Sequence, residues 1–288
     1  MNRSLEIVSS NAFKTKISDY RHKIDDAIIF ELHQHENSLF YEPLMKALKG
    51  GKRLRPILLL LSYECLVRLK EDPFPAAVAV ELSHTESLIH DDIIDRDFLR
   101  RETVTFHASY GNEMALLSAD FILSVILKLT ARYKNPRVAQ VLASATSEMC
   151  EGELEELIIL KKRQKLGRDE YIKIISKKTA SLFEASTAIG AIIAGAEEDE
   201  VKVLSDYGKL VGIAYQIQDD ITDLGKTTST DILKLLDMNS EKIRTLNRIS
   251  NSFLSKAKEK LEKIKSNDAK ILLLELADFI LSDSITLI

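Results

Sequence analysis

From Arg137 to Ile288 the chain contains no proline, and its five prolines stand at 43, 56, 73, 75 and 136. Inside a helix a proline removes a hydrogen bond and clashes with the preceding turn, so so long a stretch without one is free to form long helices. Apolar residues recur at i, i+3, i+4 and i+7 from Leu58 through Leu281, the period of a helix with one buried face, whereas alternating β-branched runs bounded by turn residues are hard to find. The chain reads as all-α. Breaks are expected at 48–52, 71–75, 97–111, 134–136, 165–168, 194–200, 225–230 and 266–268, giving roughly ten helices or more. No flexible linker or medium-length repeat divides them, so residues 1–288 read as a single domain.

Composition narrows the function classes. The chain is 45% hydrophobic and 29% charged, a globular balance, and no apolar run is long enough to span a bilayer. Its formal charge of −4 supplies none of the clustered basic surface that nucleic acid demands. Cys65 and Cys150 stand far apart in apolar helical contexts without metal-type spacing, and read as buried thiols rather than ligands or a disulfide. The first 20 residues carry scattered charges and no apolar signal core, so a reducing cytoplasm is the expected compartment.

Two aspartate clusters share one design: Asp91-Asp92-Ile93-Ile94-Asp95 and Asp219-Asp220-Ile221-Thr222-Asp223. On a helix the first and last carboxylates of each stack on one face, with the middle one beside them. A lone cluster of this kind is usually a solvated face, but its recurrence within apolar text asks for a partner stronger than lysine. Mg²⁺ fits, since it takes oxygen ligands from one or two carboxylates, water and substrate phosphates. His84, Leu88, Asp91 and Asp95 form a continuous helical stripe, and Gly212, Gln216, Asp219 and Asp223 repeat the same spacing. Facing each other across a bundle, such stripes would line a cavity for a ligand with a charged head and an apolar tail.

The basic residues form a matching set. Gly50-Gly51-Lys52-Arg53-Leu54-Arg55-Pro56 places cations and glycines at a helix entrance, where backbone N–H groups can approach an anion. Arg100 and Arg101 follow the first aspartate cluster, and arginine suits phosphate because its planar fork donates two parallel bonds. Lys178-Thr179 open a run of small residues that permits close helix packing or a nearby ligand; taken alone, Lys178 reads as an exposed helix-terminus residue. His22, His33 and His35 read as surface histidines, 255–265 as a solvated face, and the glutamates of 151–156 receive no role.

In this order, GGKRLRP, a histidine seven residues before DDIID, the arginine pair, Lys178-Thr179 and YQIQDDITD make the chain resemble the trans-isoprenyl diphosphate synthases, or polyprenyl synthetase family. The likeness runs from about Leu48 to Asp223. It implies the isoprenoid synthase fold, a large bundle of mostly antiparallel helices around a central cavity, and a homodimer. It also implies head-to-tail condensation of isopentenyl diphosphate with an allylic diphosphate, whether dimethylallyl, geranyl or farnesyl. Carried over residue by residue, Asp91, Asp92, Asp95, Asp219, Asp220 and Asp223 would hold Mg²⁺ on the allylic diphosphate. Lys52, Arg55, His84 and Arg101 match isopentenyl diphosphate contacts, and Arg100, Lys178 and Gln216 match allylic diphosphate contacts. Thr179 and Gln216 would lie near the developing cation.

The chain departs from the family pattern in three places. The segment after Asp223 is shorter than usual, with Lys226 the best match for the closing lysine and Lys234 the alternative. Glu102 replaces a usual glycine. Glu86 and Ser87 occupy the turn below the first cluster where an aromatic floor would stop the growing tail, so a product of C20 or longer is expected. A terpene cyclase would lack the second diphosphate site that GGKRLRP and His84 imply. A non-catalytic regulatory subunit of a partner synthase typically loses one aspartate cluster, and here both are present.

Overall fold

The computed structural model describes residues 2–100, 103–163, 165–223, 236 and 240–281, with side chains from residue 12 onward except at 240 and 281. The architecture is all-α, as the proline and periodicity pattern requires. In order the helices are α1 (Asn2–His33), α2 (Tyr41–Ala47), α3 (Leu54–Leu66), α4 (Phe74–Ile94), α5 (Phe106–Tyr110), α6 (Asn112–Thr130), α7 (Arg137–Lys162), α8 (Arg168–Ile175), α9 (Ser181–Ile193), α10 (Glu198–Asp223), α11 (Ser240–Leu261) and α12 (Asp268–Leu281). One π-turn, Ser176–Ala180, joins α8 to α9. The stretch 97–111, expected as a plain break, holds a two-stranded hairpin of β1 (Leu99–Arg100) and β2 (Thr103–Val104), antiparallel with Leu99 opposite Val104.

The chain forms two compact units. The first, Met1–Ile57 with Asp72–Ala139, is built on α4, which packs on α6, α1 and α5. Ala76 to Leu82 lie almost entirely buried, so this part of α4 is buried all round, the mark of an internal helix, with Glu81 its one charged member. The second, Leu58–Glu71 with Gln140–Ile288, is built on α10, which packs on α9, α11, α12 and the π-turn. Tyr171, Ile174, Ile213, Ile217 and Leu246 form its core beside the second aspartate cluster, each such side chain contributing about 2 kcal/mol of apolar burial.

Glycines set how closely the second unit packs. A Cβ on Gly212 would stand 2.7 Å from Ala180 Cα, and one on Gly208 would stand 2.6 Å from the Phe183 carbonyl oxygen. Both glycines let α10 press against the π-turn and α9 backbone, one of the two uses open to the small-residue stretch.

The structure corrects one expectation. Cys65 is buried, its thiol pushed up to about 12 chiefly by desolvation, but Cys150 is exposed on α7. His35 is half-buried, its ring edge-on to Phe121 at 5.2 Å.

Candidate active site

In the first unit the basic turn is wound left-handed. Gly50, Gly51 and Arg53 have φ of 80°, 108° and 52°, values that glycine adopts freely and arginine only under constraint. The constraint is visible. Arg53 is 5% exposed, with Nε donating to Asp25 Oδ1 at 2.8 Å, Nη1 to Glu81 Oε1 at 2.6 Å and Nη2 to the Leu48 carbonyl oxygen. Burial works against its charge, but Glu81 and Asp25 outweigh that penalty and hold its pKa above the usual arginine value. Arg53 therefore shapes the turn, whereas Lys52 and Arg55 are half-buried at the entrance of α3.

The expected stripe on α4 is present: His84, Leu88 and Asp91 are half-buried and Asp95 is exposed at the helix C-cap. The middle carboxylate behaves differently. Asp92 is 5% exposed and accepts Arg100 Nε from β1 at 2.7 Å. Its pKa is raised by burial, with Arg100 pulling it back. The hairpin that brings Arg100 there is tied by the Thr105 hydroxyl, which donates to the Asp97 carbonyl oxygen at 2.7 Å. Arg101 and Glu102 lie outside the described residues.

The second unit repeats the arrangement with other partners. Asp220 is 4% exposed; Tyr171 Oη donates to its Oδ2 at 2.5 Å and Gln216 Nε2 to its Oδ1 at 2.8 Å. Burial pushes its pKa up to about 7, against these two donors. Gln216 Oε1 in turn accepts the Thr179 hydroxyl at 2.8 Å. Asp219 and Asp223 are half-buried. Thr179 and Lys178 belong to the π-turn, so Lys178 is not the exposed helix-terminus residue that local sequence suggests. Its Nζ lies 2.5 Å from Glu153 Oε2 and 2.8 Å from Glu156 Oε2. Gly152 makes this possible, since a Cβ there would sit 2.6 Å from the Lys178 backbone nitrogen. Lys226 and Lys234 lie outside the described residues.

The first triad closes α4, whose last turn has no basic residue, and the second stands in the final described turn of α10, also without one. At the α4 C-terminus exposed carbonyls add a partial negative charge, so three carboxylates there intensify the demand for a cation. In each triad the middle aspartate is turned inward to a protein donor, and the outer two share one helical face. No three His, Cys, Asp or Glu side chains converge as a ready-made cage among the described residues. Pairs of carboxylates are nonetheless the donor set that Mg²⁺ uses, with water and phosphate oxygens completing its shell, so the residues fit that ion.

Residues 37–270 match the family model described as Polyprenyl synthetase. The chain belongs to that family. It is 32% identical over 81% of its length to the geranylgeranyl diphosphate synthase of Methanosarcina mazei, covering 86% of that protein. It is 32% identical, with the same two coverages, to the short chain isoprenyl diphosphate synthase of Methanothermobacter thermautotrophicus. Among solved structures, the geranylgeranyl pyrophosphate synthetase of Pyrococcus horikoshii is similar with a TM-score of 0.84 and 31% identity, over 95% of this chain and 99% of that one. This polyprenyl synthetase family member is accordingly a trans-prenyltransferase with the isoprenoid synthase fold. No helix among its described residues is long and apolar enough to cross a membrane.

Sequence reading passed over Glu153, Glu156 and Tyr171. The glutamates stand i, i+3 on α7, a spacing that puts them on one face. Nothing local announces that their shared partner is Lys178, 22 residues beyond Glu156.

Proposed function

We propose that the protein condenses isopentenyl diphosphate head-to-tail with an allylic diphosphate (dimethylallyl, geranyl or farnesyl) and releases a linear trans-prenyl diphosphate of C20 or longer. The observation that carries the reading is the repeated triad: an aspartate pair on one helical face, with the middle aspartate held from behind by Arg100 in one case and by Tyr171 and Gln216 in the other. Asp91 and Asp95, and Asp219 and Asp223, are the carboxylates assigned to Mg²⁺, with Asp92 and Asp220 supporting each end. When bound, Mg²⁺ offsets the negative charge that grows on a departing diphosphate.

The chain's own groups do the rest. Arg100 and Lys178 bind the allylic diphosphate and stabilise it as it leaves, Lys178 exchanging Glu153 and Glu156 for phosphate oxygens. Lys226 would close the site. Lys52, Arg55, His84 and Arg101 hold isopentenyl diphosphate so that its double bond lies against the allylic carbon. The C–O bond breaks with its electron pair going to diphosphate, the double bond attacks the allylic cation, and a proton then passes to the released diphosphate. The oxygens of Thr179 and Gln216 favour the cation before attack. Glu86 and Ser87, neither aromatic, support a tail of C20 or more, as do the two relatives named for geranylgeranyl products.

A homodimer is proposed as well, supported by the exposed Leu116, Leu123 and Leu127 on α6, an apolar stripe that a second copy would cover. The reducing cytoplasm is the proposed compartment, which suits a buried Cys65 thiol. The test incubates the protein with radiolabelled isopentenyl diphosphate, Mg²⁺ and allylic primers from C5 to C20, and resolves the hydrolysed products by chromatography. Chains of C20 or longer are expected. No product from any primer overturns the reading in favour of a regulatory subunit.

A further inference from the structure

The hydrogen bonds behind the second aspartate pair run in one direction. Asp220 accepts on both oxygens: from Tyr171 Oη on Oδ2 at 2.5 Å and from Gln216 Nε2 on Oδ1 at 2.8 Å. With its amide nitrogen committed there, Gln216 must turn Oε1 the other way. That oxygen takes the Thr179 hydroxyl proton at 2.8 Å. Toward anything else, Thr179 then offers lone pairs and no proton. The order Tyr171, Asp220, Gln216, Thr179 crosses α8, α10 and the π-turn, and it begins at a phenol that is 0% exposed.

We infer that Tyr171 is a positioning residue of the prenyl transfer: by anchoring Asp220 it fixes which way the Gln216 amide faces, and so makes Thr179 an acceptor toward the reacting allylic carbon. The inference rests on the reaction proposed above, in which positive charge develops beside Thr179. An amide in the opposite orientation would donate to Thr179 and leave the hydroxyl proton to point at the cation, which it would destabilise. Gln216 alone does not choose between these orientations, because its two ends are nearly the same size. Asp220 chooses, and Tyr171 holds Asp220 still.

Tyr171 differs in this respect from Tyr207. The latter is equally buried in the same unit, but its hydroxyl donates at 2.6 Å to the Leu273 carbonyl oxygen, a partner with no link to the aspartates. Tyr207→Phe therefore serves as the control for loss of a buried phenol bond.

The experiment uses the full chain. Steady-state kinetics of Tyr171→Phe are expected to show kcat lower by on the order of 10-fold to 100-fold, with KM for both diphosphates within about twofold of wild type. Tyr207→Phe should leave kcat unchanged at a similar loss of thermal stability. The second readout needs no metal or substrate: the side-chain amide pair of Gln216 in a ¹⁵N–¹H spectrum, assigned by its disappearance in Gln216→Leu. That pair should move in Tyr171→Phe and stay in place in Tyr207→Phe. Equal losses of kcat in the two phenylalanine variants, or a Gln216 pair that ignores Tyr171→Phe, overturn the inference. Should Tyr171→Phe not fold, Tyr171→His keeps a ring and a donor. A Gln216 pair near its wild-type position together with kcat above one-tenth of wild type supports the assignment, and a displaced pair with full kcat overturns it. If the wild type makes no prenyl product the proposed reaction falls, while the amide comparison still decides the hydrogen-bond order.

Discussion

Arg53 and Lys52 are neighbours of like charge with opposite roles. Arg53→Ala leaves Glu81, 5% exposed, as a buried acid without its cation, and unfolding in urea should show a loss of about 3–5 kcal/mol. Lys52→Ala should cost no more than about 0.5 kcal/mol while raising KM for isopentenyl diphosphate by about 10-fold. The sequence displays the cations of this turn but not which one faces inward, because Asp25 and Glu81 each lie 28 residues away. Glu86 makes a separate case. Desolvation, with Asp120 adding to it, pushes its carboxyl up to about 7, so between about pH 4 and that value the folded chain keeps a proton that the unfolded chain has released. Its contribution to stability is fully present in acid and is lost as pH rises toward 7. Glu86→Gln should remove that slope and, at pH 8, melt a few degrees higher than wild type, as read by calorimetry across the range.

Among the elements, the π-turn between α8 and α9 has the largest effect on the site. It carries Lys178 and Thr179, and π-turns are frequent at functional positions because they re-aim side chains within a helix. Helical periodicity continues on both sides of it, so a single extra residue in one turn leaves no mark in the hydrophobic pattern; Lys178 looked like an ordinary terminus for that reason. The small residues after Thr179 announced close packing, whereas Gly212, expected on a cavity-lining stripe, is the glycine that α10 presses against the π-turn. Gly212→Ala would place a Cβ 2.7 Å from Ala180 Cα and 2.8 Å from Phe183 Cβ, contacts that backbone must move to relieve. Destabilisation of about 1–3 kcal/mol is expected, with turnover falling as Gln216 shifts from Thr179; melting curves and initial rates measure the two effects separately.

At the scale of the whole molecule, each unit is built on one central helix, α4 or α10, whose buried face forms its core. Chelation, or Asp91→Asn and Asp219→Asn singly, should lower turnover by about 100-fold or more and leave the helical circular dichroism unchanged. Unaltered turnover in either variant would remove that triad from the metal assignment. The helical class and both aspartate clusters were plain in the chain because they are written in local spacing, whereas Tyr171 against Asp220 and Glu156 against Lys178, 49 and 22 residues apart, are contacts that only folding creates. The unequal cysteines have a practical consequence. Because the thiolate is the reactive form, Cys65, held near 12 by burial, stays inert to a maleimide dye, and exposed Cys150 takes the label alone. Attached one helical turn from Glu153, the fluorophore should change its emission when pyrophosphate and Mg²⁺ draw Lys178 off its glutamates, and should stay silent in Lys178→Ala.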